Sequence, residues 1–234
     1  MATSGLIQIA GIRNAAEARL LVAAGVDWLG FPFRLEYHAE DTTVEAAAEI
    51  IRELPETVSP VLITYLNQVE AILQLAEMLG VRHIHLHGHV SVDVLRELRR
   101  QRKDLFLIKS LVVKDNQVEE LARAVAVYAP LVDAFITDTY DPRTGASGAT
   151  GKTHDWRVSR RLVEISPRPI ILAGGLNPEN VEKAIEFVRP AGVDVHTGVE
   201  DSRGNKDPER VRRFVQNARR AFQKYPPLRG FSNE

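Results

Sequence analysis

The sequence predicts a single (β/α)8 TIM barrel, an α/β fold, on three observations. Short Val/Ile/Leu-rich runs recur eight times along the chain. Longer stretches with apolar residues spaced near 3.6, the period of a helix, lie between them. The length of 234 residues suits one barrel, a fold of about 250 residues.

In order, the runs LIQIA (6–10), WLGFPF (28–33), VLITY (61–65), HIHLH (83–87), LFLIKSL (105–111), AFITD (134–138), IILA (170–173) and VDVHT (193–197) read as strands. Most are apolar throughout, as parallel strands covered by helices must be. Between them, NAAEARLLVAAG reads as a helix opening at Asn14 and closing at Gly25, and VEAILQLAEMLG closes at Gly80. A glycine at that place accepts the left-handed backbone that ends a helix. After the seventh run, Asn177 reads as an N-cap with Pro178 at the first helical position. No linker splits the chain, so residues 1–225 are read as the barrel and the polar segment PPLRGFSNE (226–234) as a tail.

Composition narrows the function. The formal net charge is −1 with no long block of one sign, which argues against a nucleic-acid surface built on clustered cations. The one basic stretch, RELRRQRK (96–103), falls at a predicted helix end, where cations suit the dipole. There is no cysteine, so disulfides, thiolate nucleophiles and Cys-ligated zinc are excluded. No apolar run approaches the roughly 18 residues of a membrane span, and no signal pattern opens the chain, so a cytoplasmic protein is expected.

A barrel of this kind carries its chemistry at the C-terminal ends of its strands. That rule points to Ala10, Phe33, Tyr65, His87, Lys109, Asp138, Gly174 with Gly175, and the stretch from Asp194 to Gly198. The loop GASGATGKTHDW (145–156) imitates a nucleotide P-loop but fails on spacing, because Ala146 stands where the motif needs glycine. It reads instead as a loop over the barrel mouth. Gly174 and Gly175 after the seventh strand, with Thr197 at the end of the eighth and Gly198 after it, form the expected phosphate site, since glycine lets backbone N–H groups approach an anion. His85 and His87 share one strand face, as do Asp194 and His196. If both pairs face the mouth with Asp138, they supply proton-transfer groups, or His85, His87 and His196 hold a divalent metal. Lys109 would pair with a phosphate or carboxylate, or form a Schiff base if desolvated.

The chain resembles the phosphoribosylanthranilate isomerase family from about residue 6 to 215. The resemblance is carried by GI (11–12), AGVDWLGFPF (24–33), HLHG (85–88), IKS (108–110), GATGKTHDW (148–156), ILAGGLNPENV (171–181) and GVDVHTGVEDSRGNKD (192–207). It implies a barrel that binds a ribose 5-phosphate group and performs the Amadori aldose–ketose isomerisation of tryptophan biosynthesis without a cofactor. The expected partner is a small phosphorylated substrate, and the expected assembly a monomer or homodimer. The resemblance makes Asp138 the general acid for the sugar-ring oxygen. It puts the general base at a cysteine of a K-I-C-G motif, where this chain reads Q-I-A-G: Ala10 cannot accept a proton, and Gln8 replaces the lysine. The family's arginine for the anthranilate carboxylate falls at Ala39 in a gapless match, with Arg34 nearby. Three readings follow: an isomerase with a substitute base among His85, His87 and His196; a relative redirected to another phosphosugar, with or without a metal; or a non-catalytic phosphosugar-binding protein.

Overall fold

The computed structural model describes residues 5–35, 39–114, 117–139 and 153–231. Eight parallel strands follow one another around a closed barrel, with the first bonded to the last. They are β1 Leu6–Ala10, β2 Trp28–Phe33, β3 Ser59–Thr64, β4 His83–Leu86, β5 Phe106–Val113, β6 Ala134–Thr139, β7 Ile170–Leu172 and β8 Gly192–Val195. Each end falls within two residues of the expected one. The helices are α1 Ala15–Ala24, α2 Val44–Arg52, α3 Val69–Leu79, α4 Val92–Gln101, α5 Val118–Tyr128, α6 Trp156–Ile165, α7 Val181–Val188 and α8 Pro208–Lys224.

The strand period of two sorts side chains into two cores. Ile7, Ile9, Leu29, Phe31 and Phe33 are fully buried in the layer between strands and helices. Ala10, Ile63, Ile108, Ile136 and Ile171 fill the barrel interior. The helix stops at Gly25 and Gly80 form as expected, with φ of 84° and 70°. One cap moves. Asn177 is the first residue of a turn, where its side chain accepts from the N–H groups of Glu179 and Asn180. Asn180 is the residue that precedes α7, and it returns a side-chain oxygen to the Asn177 N–H. Pro178 therefore lies in that turn, before the helix rather than at its first position.

The N-terminal end of the barrel is closed by aromatic rings. Trp28, His83 and Phe106 open β2, β4 and β5, and their ring centroids lie 5.0–5.6 Å apart. Phe231 packs on this group, 5.5 Å from Trp28. The segment from Pro226 therefore crosses the barrel floor, tied down by Arg189 Nε donating to the Pro226 carbonyl and the Leu228 N–H donating to the Arg189 carbonyl. In the basic stretch, Arg99 donates to the Leu105 and Leu131 carbonyls and pairs with Asp133, while Arg96, Arg100 and Arg102 pair with nearby acids. Among the described residues, no helix is long and apolar enough to cross a membrane.

Candidate active site

A cavity of about 360 Å³ opens at the C-terminal ends of the strands. His85, His87, Asp138, Asp194, His196 and Thr197, all singled out in the sequence, line it together. The rule that i and i+2 share a strand face therefore holds for both pairs. The loop expected over the mouth lies outside the described residues, except for residues 153–156 at its end.

Strand β6 brings Asp138 to the mouth, where it is buried and accepts the Thr139 N–H at 2.7 Å. Burial disfavours its charged form and raises its pKa to about 7, against the pull of that N–H and of the His196 imidazole. Asp194 on β8 is likewise raised to about 7, first by burial and then by the facing Asp138. Gln8 donates to Asp194 at 2.9 Å; this is the contact made by the residue in place of the motif's lysine. Asp138 and Asp194 thus hold their protons well above the ordinary carboxyl range, up to about neutral pH.

The β4 histidines share one hydroxyl. Ser110 Oγ lies 2.7 Å from both His85 Nε2 and His87 Nδ1, so it donates to one ring and accepts from the other. His85 is buried, its Nδ1 lacks a partner, and burial with nearby His87 and Lys109 holds its pKa well below the ordinary value. It is a neutral ring beneath the reacting zone. His87 Nε2 instead stands 3.9 Å from Asp138 Oδ2, with Tyr65 against its edge.

His196 occupies the neighbourhood of the absent cysteine. The β1–β8 register pairs Gln8 with Asp194 and Ile9 with Val195, so the next pair up is Ala10 with His196. A Cβ on Gly11 would stand 2.0 Å from His196 Nε2, so the imidazole lies over the tip of β1. Glu200 Oε1 is 3.3 Å from that Nε2 and 2.7 Å from Lys206 Nζ. Burial would raise the Glu200 pKa, but its contacts with His196 and Lys206 prevail and hold it at about 2. An ionised Glu200 this close to Nε2 favours a proton on that nitrogen and orients the ring.

Two sequence candidates lie elsewhere. Lys109 is buried beside the cavity and donates to the carbonyls of Leu86, Gly88 and Ser110, stitching the end of β4. Burial lowers its pKa to about 8. Arg34 sits at φ 57° and is engaged with Glu40 at 2.8 Å, away from the cavity that Ala39 lines. No group of three or more His, Asp or Glu residues among those described is placed to hold a metal ion, so His85, His87 and His196 do not gather as ligands. Sequence reasoning missed Ser110 as the bridge, Glu200 as the partner of His196, and Arg13 on the cavity rim.

The phosphate candidates form a neighbouring wall. Gly174 and Gly175 have φ of 98° and 62°, in the region that favours glycine. Thr197 opens a 3-10 turn, Thr197–Val199, and a Cβ on Gly198 would collide with the Leu176 carbonyl at 1.8 Å. The loops after β7 and β8 can approach this closely only with glycine there.

A closed parallel barrel with acids and imidazoles converging at its strand ends has the build of a (β/α)8 enzyme. The comparisons make this specific. The family model of N-(5'-phosphoribosyl)anthranilate (PRA) isomerase matches residues 7–217, and the chain belongs to that family. It is 40% identical over 219 residues to N-(5'-phosphoribosyl)anthranilate isomerase of Desulforudis audaxviator, covering 93% of this chain and 99% of the relative. It is 38% identical over 217 residues to N-(5'-phosphoribosyl)anthranilate isomerase 2 of Methanosarcina mazei, covering 92% and 95%. The crystal structure of phosphoribosyl anthranilate isomerase from Thermotoga maritima superposes with a TM-score of 0.78 at 32% identity, covering 92% of this chain and 98% of that one. A second isomerase, in complex with reduced 1-(o-carboxyphenylamino)-1-deoxyribulose 5-phosphate, gives 0.76 at 30% identity with the same coverage.

Proposed function

We propose that this protein isomerises N-(5'-phosphoribosyl)anthranilate in tryptophan biosynthesis, with Asp138 as general acid and His196 as general base. One observation carries the reading: an acid protonated to about pH 7 shares a cavity with an imidazole at the height of Ala10. Asp138 would give its proton to the ring oxygen as the C–O bond breaks and the anilino nitrogen pushes its lone pair onto C1′. The resulting iminium acidifies the C2′ proton, which His196 removes. The enolamine then gains a proton at C1′ and loses one from the C2′ hydroxyl, giving the ketose. The change is an isomerisation, so no external oxidant, metal or cofactor is needed.

Glycines 174, 175 and 198 with Thr197 would hold the 5-phosphate. His87, 3.9 Å from Asp138, would support the acid, and Asp194 would contact the sugar. A phosphorylated sugar does not cross membranes unaided, which supports a cytoplasmic setting for the reaction. A Thermotoga maritima relative is described as dimeric, and a monomer or homodimer fits a site built from one chain.

The test is turnover of N-(5'-phosphoribosyl)anthranilate, followed by loss of substrate fluorescence across pH. The expected result is a rate that falls tenfold per pH unit above about 7, as Asp138 loses its proton. Binding of ribose phosphates without any turnover would overturn the reading and leave a phosphosugar-binding protein.

A further inference from the structure

We infer that Arg13 recognises the carboxylate on the substrate's aromatic ring, the role that neither Ala39 nor Arg34 fills. The inference rests on the isomerase reading above and adds a binding residue to it. Arg13 follows β1 and is the sole lysine or arginine lining the cavity among the described residues, where the acids are Asp41, Asp138, Asp194 and Glu200. A substrate carboxylate entering that company needs a fixed positive charge, and Arg13 supplies it.

The guanidinium is oriented from behind by neutral atoms. Its Nη1 donates to the Arg203 carbonyl at 3.1 Å and to Asn205 Oδ1 at 3.4 Å. Gly204, with φ 78°, lies between these anchors, and a Cβ there would stand 3.4 Å from Nη1. Among the described residues no carboxylate pairs with the guanidinium, so its charge is not cancelled, and Nε and Nη2 remain for a two-point contact with a carboxylate. Arg34 differs on this point, since Glu40 already engages it.

The neighbouring wall suits the ring that would bear the acid. Strands β2 and β3, next around the barrel from β1, and the residues just after them present Pro32, Leu35, Ile63 and Tyr65 to the cavity. A substrate with its phosphate at the β7 and β8 loops and its ribose over Asp138 and His196 would extend its aryl ring toward this apolar side. Its ortho carboxylate then comes within reach of the rim where Arg13 stands.

The experiment is calorimetric titration with two ligands, reduced 1-(o-carboxyphenylamino)-1-deoxyribulose 5-phosphate and the same compound lacking the carboxyl group. The parent protein should bind the acid at least about tenfold more tightly. Arg13→Ala should remove that preference while leaving affinity for the decarboxylated ligand unchanged, and Arg13→Lys should retain part of it. In turnover, Arg13→Ala should raise KM more than it lowers kcat. Equal weakening of both ligands would assign Arg13 to the phosphate and overturn the inference, as would an unchanged preference. A parent that binds both ligands equally would sink the inference alone; one that binds neither would sink the isomerase reading with it.

Discussion

Strand β4 and the residue that follows it place three histidines, His83, His85 and His87, on one face, and the two ends use them in opposite ways. At the floor, His83 lies among aromatic rings, 5.0 Å from both Trp28 and Phe106. Burial lowers its pKa, so it serves as a neutral plate in an apolar plug. At the mouth, His87 meets Ser110 on one nitrogen and approaches Asp138 with the other. Residue type and strand face are the same, so the surroundings decide the role. The floor removes water and offers packing, whereas the mouth removes water and offers other titratable groups. Desolvation adds rigidity at one end and a tuned acid at the other.

The largest expected effect breaks the mouth alone. Asp138→Asn should cost roughly 10²–10⁴-fold in kcat, the range for loss of a general acid, with the far-ultraviolet circular dichroism unchanged. Turnover at the parent rate would remove Asp138 from the mechanism.

The two histidines test the comparison itself. His87→Ala should lower kcat, and His83→Ala should leave kcat alone while costing roughly 1–3 kcal/mol of stability. A loss of kcat in the floor variant would show that the two ends are coupled.

A third prediction uses the strain of buried acids. Asp194 holds its proton to about pH 7 in the folded chain, against an ordinary value of 3.8. Between these values the unfolded chain releases the proton and the folded one keeps it, so stability falls as pH rises and the loss is complete above 7. Asp194→Asn should therefore raise Tm at pH 8 by several degrees, about 1–3 kcal/mol, and change it little at pH 3. Equal Tm values at both pH extremes would show that Asp194 is not desolvated.

Smaller effects belong to the periphery. Phe231→Ala should destabilise by about 1–2 kcal/mol through the lost aromatic contacts, without changing KM. Arg34→Ala should shift stability by less than about 0.5 kcal/mol, as expected of an exposed ion pair, and should leave KM unchanged.

The sequence makes the barrel legible because strand and helix periods are local. Eight apolar runs and the glycine stops at Gly25 and Gly80 need no knowledge of distant partners. Period two also foretells that His85 shares a face with His87 and Asp194 with His196, while the closed barrel decides that this face is the cavity side. What stays hidden depends on closure of the barrel. That His196 flanks Ala10 follows from the β1–β8 register, a pairing of residues about 186 apart in the chain. Arg13 gains its orientation from Arg203 and Asn205, which nothing near Arg13 in the sequence announces. Phe231 looks like part of a polar tail because its packing partners, Trp28 and Phe106, lie far upstream. Asn177 and Asn180 are both good caps, and only their reciprocal hydrogen bonds show which one adjoins the helix.

The most direct test moves the base between neighbouring strands. Turnover of N-(5'-phosphoribosyl)anthranilate would be compared in the parent, in His196→Asn, and in the double variant Ala10→Cys with His196→Asn. The account predicts at least a hundredfold loss of kcat in the single variant, about the least a missing general base costs, and partial recovery when the thiol is supplied from β1. A His196→Asn enzyme that turns over at the parent rate would contradict it.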